Sequence, residues 1–157
     1  MTSYGQPVAL DRVGRLEALY RTEYRGMVRL AFTLVGDSAE AEEIVQDSLL
    51  EVFRRWDQIR EPGAYLRCAV VSRCRTLLSR RRMIAQHPPE PASLSPDAID
   101  MWDMLAKLTD EQRIAVVLRY YGGYRAAEIA DIAGIPAATV RSHLRRGLAA
   151  LRKELVA

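Results

Sequence analysis

Apolar residues Leu16, Leu19, Tyr20, Met27, Leu30, Ala31 and Leu34 recur mostly at spacings of three and four, which predicts one amphipathic helix ending at Gly36. Asp37-Ser38-Ala39-Glu40 reads as a cap, followed by a second helix to about Trp56. Its apolar side carries Ala41, Ile44, Val45, Leu49, Val52, Phe53 and Trp56. A short polar loop, Asp57 to Glu61, leads to Pro62, which suits the first turn of a third helix running to about Arg82. Leu66, Ala69, Val70, Leu77 and Leu78 form that helix's inner face.

Residues 86–97 contain four prolines and no periodicity. This is a linker, and an extended one: twelve residues at roughly 3.1 Å each reach about 37 Å. With no burying pattern in it, the parts on either side are expected to move independently. Beyond it Ile99, Trp102, Leu105 and Leu108 begin a second helical cluster. Thr109 to Gln112 is a capping-box pattern opening a helix through Ile114, Val117, Leu118 and Tyr121, which Gly122-Gly123 stops. No period-two strand is evident. The expected fold is all-α: residues 1–85 and 98–157 as two small helical domains, joined by the Pro-rich linker.

The last stretch is the most informative. Ala126, Ile129, Ala130 and Ala133 line one side of a short helix, and Gly134 supplies the left-handed residue of a tight corner. Ile135-Pro136 leads into a helix with Val140, Leu144, Leu148 and Leu151 inside. Two helices joined by a short Gly-containing turn make a helix-turn-helix. With Val140 at zero, Ala138, Ser142 and Arg145 fall near about 160°, 200° and 140°, away from the core. Thr139, Arg141 and Arg146 flank them. Such a face suits a DNA major groove, Arg bonding guanine or phosphate and Ala or Ser letting the helix approach. The plainer alternative is a solvated basic surface. His143 reads as phosphate-side or exposed; no second His or carboxylate is spaced to make a metal site with it.

Charge adds a second layer. The net charge of +3 divides into −3 over residues 1–59, +6 over 60–82, −5 over 83–111 and +5 over 112–157. Two basic blocks separated by an acidic one point to two contacts with a polyanion. Twenty-one of the 23 basic residues are Arg, which suits phosphate and guanine edges but equally reflects a GC-rich genome. Residues 36–51 hold six acids and no base. Glu40, Glu43, Asp47 and Glu51 share an arc of about 80°, a stripe suited to a basic partner protein if it is more than a solvated face. The third helix is basic instead, through Arg67, Arg73, Arg75 and Arg80-Arg81-Arg82, with Tyr65 near its start. It can hold a strand backbone while a base stacks. Composition alone does not separate that reading from Tyr65 as core and the Arg run as a solvated helix end.

Other chemistry is thin. Cys68 and Cys74, about 120° apart on one helix, neither pair nor bind metal together and read as small buried or half-buried residues. No nucleophile–base set or phosphate loop is visible, so no enzymatic activity and no cofactor are expected. The first ten residues lack a secretory pattern, and no run reaches the roughly 20 apolar residues of a membrane span. A cytoplasmic protein without membrane insertion is expected.

In this order the parts resemble bacterial sigma factors of the extracytoplasmic-function group, in the sigma-70 family, over nearly the whole chain. Three stretches carry the resemblance. Ala39 to Asp47 looks like the family's polymerase-docking helix; Ala64-Tyr65-Leu66 through Arg82 looks like the segment that opens and reads the −10 element; Tyr124 to Arg152, centred on Ile135 to Ser142, looks like the −35 reader. The resemblance implies polymerase contacts at Glu40, Glu43, Gln46 and Asp47. It implies −10 contacts at Tyr65, Arg67, Ser72, Arg73, Arg80 and Arg81, with the loop Asp57–Glu61 capturing the non-template strand. It implies −35 contacts at Ala138, Thr139, Arg141, Ser142, Arg145 and Arg146. Core RNA polymerase and promoter DNA are the implied partners; many relatives also have an anti-sigma protein. The chain departs from the family's habits at Tyr65 (often Trp), Ser72 (often Asn), Leu108-Thr109 (usually Leu-Pro) and Ala138 (commonly Gly). The rival readings are a helix-turn-helix repressor, which binds a palindrome unaided, and a small cysteine enzyme.

Overall fold

A computed structural model describes the backbone of residues 6–84 and 96–156, and the side chains of 11–84 and 101–156. Within these limits the chain is helical throughout. Helix α1 (Gln6–Val35) ends where Gly36 turns to a φ of +75° and donates its N–H to the Phe32 carbonyl at 2.7 Å. Asp37 then caps α2 (Ser38–Arg54), its carboxylate accepting the Glu40 N–H at 2.9 Å. A 3-10 turn, Trp56–Gln58, buries the Trp56 ring before Pro62 opens α3 (Pro62–Ile84).

The second half begins with α4 (Pro96–Ala106), so the helix starts two residues inside the stretch read as linker. The rest of the linker, residues 86–95, lies outside the described residues. The capping box of Thr109 and Gln112 forms and opens α5 (Asp110–Val116). A π-helical turn, Val117–Tyr121, continues it. Helix α6 (Ala126–Ala133), Gly134 in the left-handed region at φ +70°, and α7 (Ala137–Val156) complete the helix-turn-helix.

Most of the anticipated inner positions are buried, among them Leu30, Leu34, Val45, Leu66, Val70, Ile114, Leu118, Ile129 and Val140. Three are not. Tyr20 is 48% exposed and stacks on Tyr24 at 4.6 Å between ring centroids. Phe53 is 40% exposed, on the outward groove between α1 and α2. Tyr121 is 48% exposed, because the wide π-turn takes up an extra residue and rotates the following side chain off the inner face.

The independence expected of the two halves is not what the structure shows. They share one apolar core, running from Leu30 and Leu34 through Val71 and Cys74 to Leu105, Ile114 and Ile132. Arg113 is the polar joint in it. Buried to 8% exposure, it donates to the carbonyls of Leu34 (3.2 Å), Leu105 (3.1 Å) and Ala106 (3.4 Å). These are carbonyls at the C-terminal ends of α1 and α4, where helices leave acceptors unpaired and the dipole favours a cation. Linker composition says nothing about such complementary surfaces, which is why reading the linker alone pointed the other way.

Candidate nucleic-acid interface

Helix α7 carries the outward face that helical geometry requires. Val140 is fully buried, and Gly147 is pressed so close to α5 that a Cβ there would meet Val116 at 2.9 Å. These two contacts fix the helix's rotation. Ala138, Arg141, Arg145 and Arg146 consequently face solvent, with Thr139 and Ser142 half-buried beside them. Among the described residues, Arg141, Arg145 and Arg146 have no hydrogen-bond or ion-pair partner, so their guanidinium groups are available. His143, expected toward solvent, is half-buried with its Nδ1 enclosed and unpartnered. It lies about 60° around the helix from Val140, on the flank of the packed side.

Helix α3 is divided. Ser72 and Arg80 are exposed, whereas the other candidate arginines are engaged. Arg67 sits 3.8 Å from Glu23, its guanidinium carbon 5.9 Å from the centre of the Tyr124 ring. Arg73 reaches Glu51 at 3.5 Å and the Ser48 hydroxyl at 3.4 Å. Arg81 bonds Glu40 and the Val35 carbonyl. Outside the anticipated set, Arg75 grips Glu111 and the Ala133 carbonyl, and Arg82 pairs with Asp110 at 3.1 Å. The acidic block of the sequence thus folds back onto the first basic block and neutralises part of it.

The loop between α2 and α3 encloses an open cavity of about 400 Å³. Arg55, Gln58, Arg60, Glu61, Tyr65 and Cys68 line it. Tyr65 is half-buried there, neither a core residue nor a free one. The cavity offers an aromatic face, two cations and an amide, a set able to stack and hydrogen-bond a planar ring beside a phosphate. Burial pushes the Cys68 thiol above its ordinary range, with Arg67 acting against it, and burial pushes the Cys74 thiol up to about 12. At neutral pH neither sulfur is the thiolate that nucleophilic chemistry needs.

The acid stripe of α2 is also divided. Glu43, Gln46 and Asp47 are exposed, while Glu40 and Glu51 are half-buried against the arginines of α3. Exposed Leu50 and Phe53 continue the outer face, where α1 adds Val13 and Tyr20 to form an apolar groove. Sequence reasoning missed Arg113, although its place four residues before Val117 put a charge on the inner face, a readable signal. It also missed the arginines of α1 near the loop, for which periodicity carried none.

The sigma-70 region 2 family matches residues 19–83, and the sigma-70 region 4 family matches residues 99–151. An RNA polymerase sigma-E factor from Streptomyces coelicolor is 34% identical, over 94% of this chain and 90% of the relative. The ECF RNA polymerase sigma factor SigM from Mycobacterium tuberculosis is 31% identical, over 94% of this chain and 80% of the relative. The sigma factor RpoE from Bartonella quintana, solved in complex with the anti-sigma factor NepR, shares the fold. Its TM-score is 0.64 at 22% identity, covering 96% of this chain and 97% of that one.

Proposed function

The chain belongs to the extracytoplasmic-function group of sigma-70-family RNA polymerase sigma factors, which bind core polymerase and direct promoter-specific transcription initiation, and from that premise we propose how the work is divided along it. The unit of residues 1–85 docks on polymerase and opens the −10 element. The unit of residues 98–157 reads the −35 element, and residues 86–97 tether the two. The protein itself catalyses nothing; polymerase does the chemistry. Among the described residues no helix is long and apolar enough to cross a membrane, in keeping with a cytoplasmic site of action.

Glu43, Gln46 and Asp47 meet a basic polymerase surface, with Glu40 joining them once Arg81 is released. Such a stripe is repelled by phosphates and fits protein instead. Tyr65 and the loop cavity take a base of the melted non-template strand. Ser72 and Arg80 are open to its backbone from the outset. Arg67, Arg73 and Arg81 become available as their present acidic partners are displaced. Ala138, Thr139, Arg141, Ser142, Arg145 and Arg146 form the −35 surface. A partner of the anti-sigma type is proposed as well, since the Bartonella quintana protein of the same fold is solved with one.

The observation that carries this reading is the outward face of α7, with three arginines unpaired among the described residues and turned away from a buried Val140. The test is reconstitution with core polymerase and transcription from a promoter library. Promoter-dependent transcripts, with no stable duplex binding by the free chain, support it. Tight binding of a palindrome by the chain alone, with no effect on core polymerase, favours the repressor reading.

A further inference from the structure

Helix α1 begins at Gln6, although the region 2 match begins at residue 19 and the helix's apolar pattern at Leu16. The extra turns reach the loop that follows α2. Arg12 forms an ion pair with Asp57, and the Arg15 guanidinium carbon lies 5.3 Å from the centre of the Trp56 ring. Two consecutive loop residues are therefore held by two arginines one helical turn apart. Trp56 is buried at 9% exposure, so its ring is a fixed anchor; Asp57 projects into solvent. Among the described residues Asp57 has no other side-chain partner. The loop's own backbone bonds are few, Gln58 N–H to Arg55 O at 2.9 Å and Ile59 N–H to Trp56 O at 3.3 Å. Neither Arg12 nor Arg15 lines the cavity of Gln58, Arg60, Glu61 and Tyr65.

We infer that Arg12 and Arg15 are positioning residues, which brace the Trp56–Glu61 loop from behind in the shape that receives the non-template strand. The inference rests on the reading of that loop as the strand-capture element. A loop held before binding loses less freedom when a strand enters, so the same contacts give tighter capture. An exposed ion pair contributes little alone, but a cation stacked on a buried indole contributes more, and the two act on adjacent residues.

The experiment uses the full chain assembled with core polymerase and a fork-junction promoter probe whose −10 non-template strand is single. Arg12→Glu, Asp57→Arg and Arg15→Gln are each expected to weaken probe binding and slow the appearance of permanganate-reactive thymines by roughly three- to tenfold. Core binding and −35 duplex affinity stay unchanged. Combining Arg12→Glu with Asp57→Arg restores binding to within about twofold of the parent, and Arg12→Lys keeps most of it. Single variants that bind like the parent, or a double variant no better than its worse single, overturn the brace. Tyr65→Ala and Arg60→Ala run alongside. If they weaken capture while the α1 variants do not, the brace alone fails; if they too bind like the parent, the loop reading fails and takes the brace with it. Thermal melts of every variant separate these effects from misfolding.

Discussion

Arg75 on α3 donates through Nε to Glu111 on α5 at 2.7 Å, while its second nitrogen reaches the Ala133 carbonyl, at the corner of the helix-turn-helix, at 2.9 Å. One side chain of the basic helix α3 thus holds two elements of the second half of the chain. The free chain is expected to be closed, with part of α3 covered. Glu111→Arg should raise the radius of gyration in small-angle scattering, and adding Arg75→Glu should reverse much of the change. Both side chains are about a third exposed, so salt weakens the pair. The parent should open as ionic strength rises. A parent already extended at low salt contradicts this.

Sequence reading should separate along α7. Arg145 stands opposite Val140, and a good bidentate contact discriminates bases by about 1–3 kcal/mol. Arg145→Ala should relax preference at one or two positions in a randomised −35 library. Arg152, exposed near the helix end, is placed for phosphate instead. Arg152→Ala should weaken all sequences evenly and flatten the salt dependence of binding. An unchanged preference with Arg145→Ala moves the specificity to Ala138, Ser142 or the flanking arginines.

Docking and folding should come apart along α2. Glu43 and Asp47 are exposed, so reversing both to Lys should leave the melting curve alone and lower core affinity by at least about tenfold. Glu40 is bonded to Arg81 within the fold, so Glu40→Lys should lower the melting temperature as well. Equal melting curves for the two variants, or equal core affinity for the first and the parent, would count against the assignment.

Arg113→Met should cost about 2–4 kcal/mol in urea titrations, because the buried carbonyls of Leu34 and Leu105 lose a charged donor. Arg113→Lys should recover only part of it, since one ammonium cannot span carbonyls at the ends of two helices. A Met variant as stable as the parent would show that water replaces the guanidinium there.

Much of this was legible in the residue order. Period and caps located α1, α2, α3, α5 and the helix-turn-helix, because each has one apolar face and a clear boundary, a stop at Gly36 or Gly134 or a start at Pro62 or Thr109. The outward face of α7 was legible too, since helical angles depend only on spacing. Arg81 was not: whether an arginine faces DNA or Glu40 depends on how two helices pack. The closed arrangement was hidden for the same reason. Arg75 and Glu111 are 36 residues apart, and neither segment's pattern names the other. The π-turn at Val117–Tyr121 also escaped, because no single residue announces it.

The indole of Trp102 packs against Gly36, so close that a Cβ there would fall 2.3 Å from Nε1. It is one of two tryptophans in the chain, and the other, Trp56, sits under Arg15 at the loop. The molecule therefore carries an intrinsic optical gauge at each of its two working joints. Parting of the halves should wet Trp102 and shift its emission to the red. Disturbance of the loop should register at Trp56, read separately once Trp102 is replaced by Phe. Both events can then be followed in the free chain without attaching a dye.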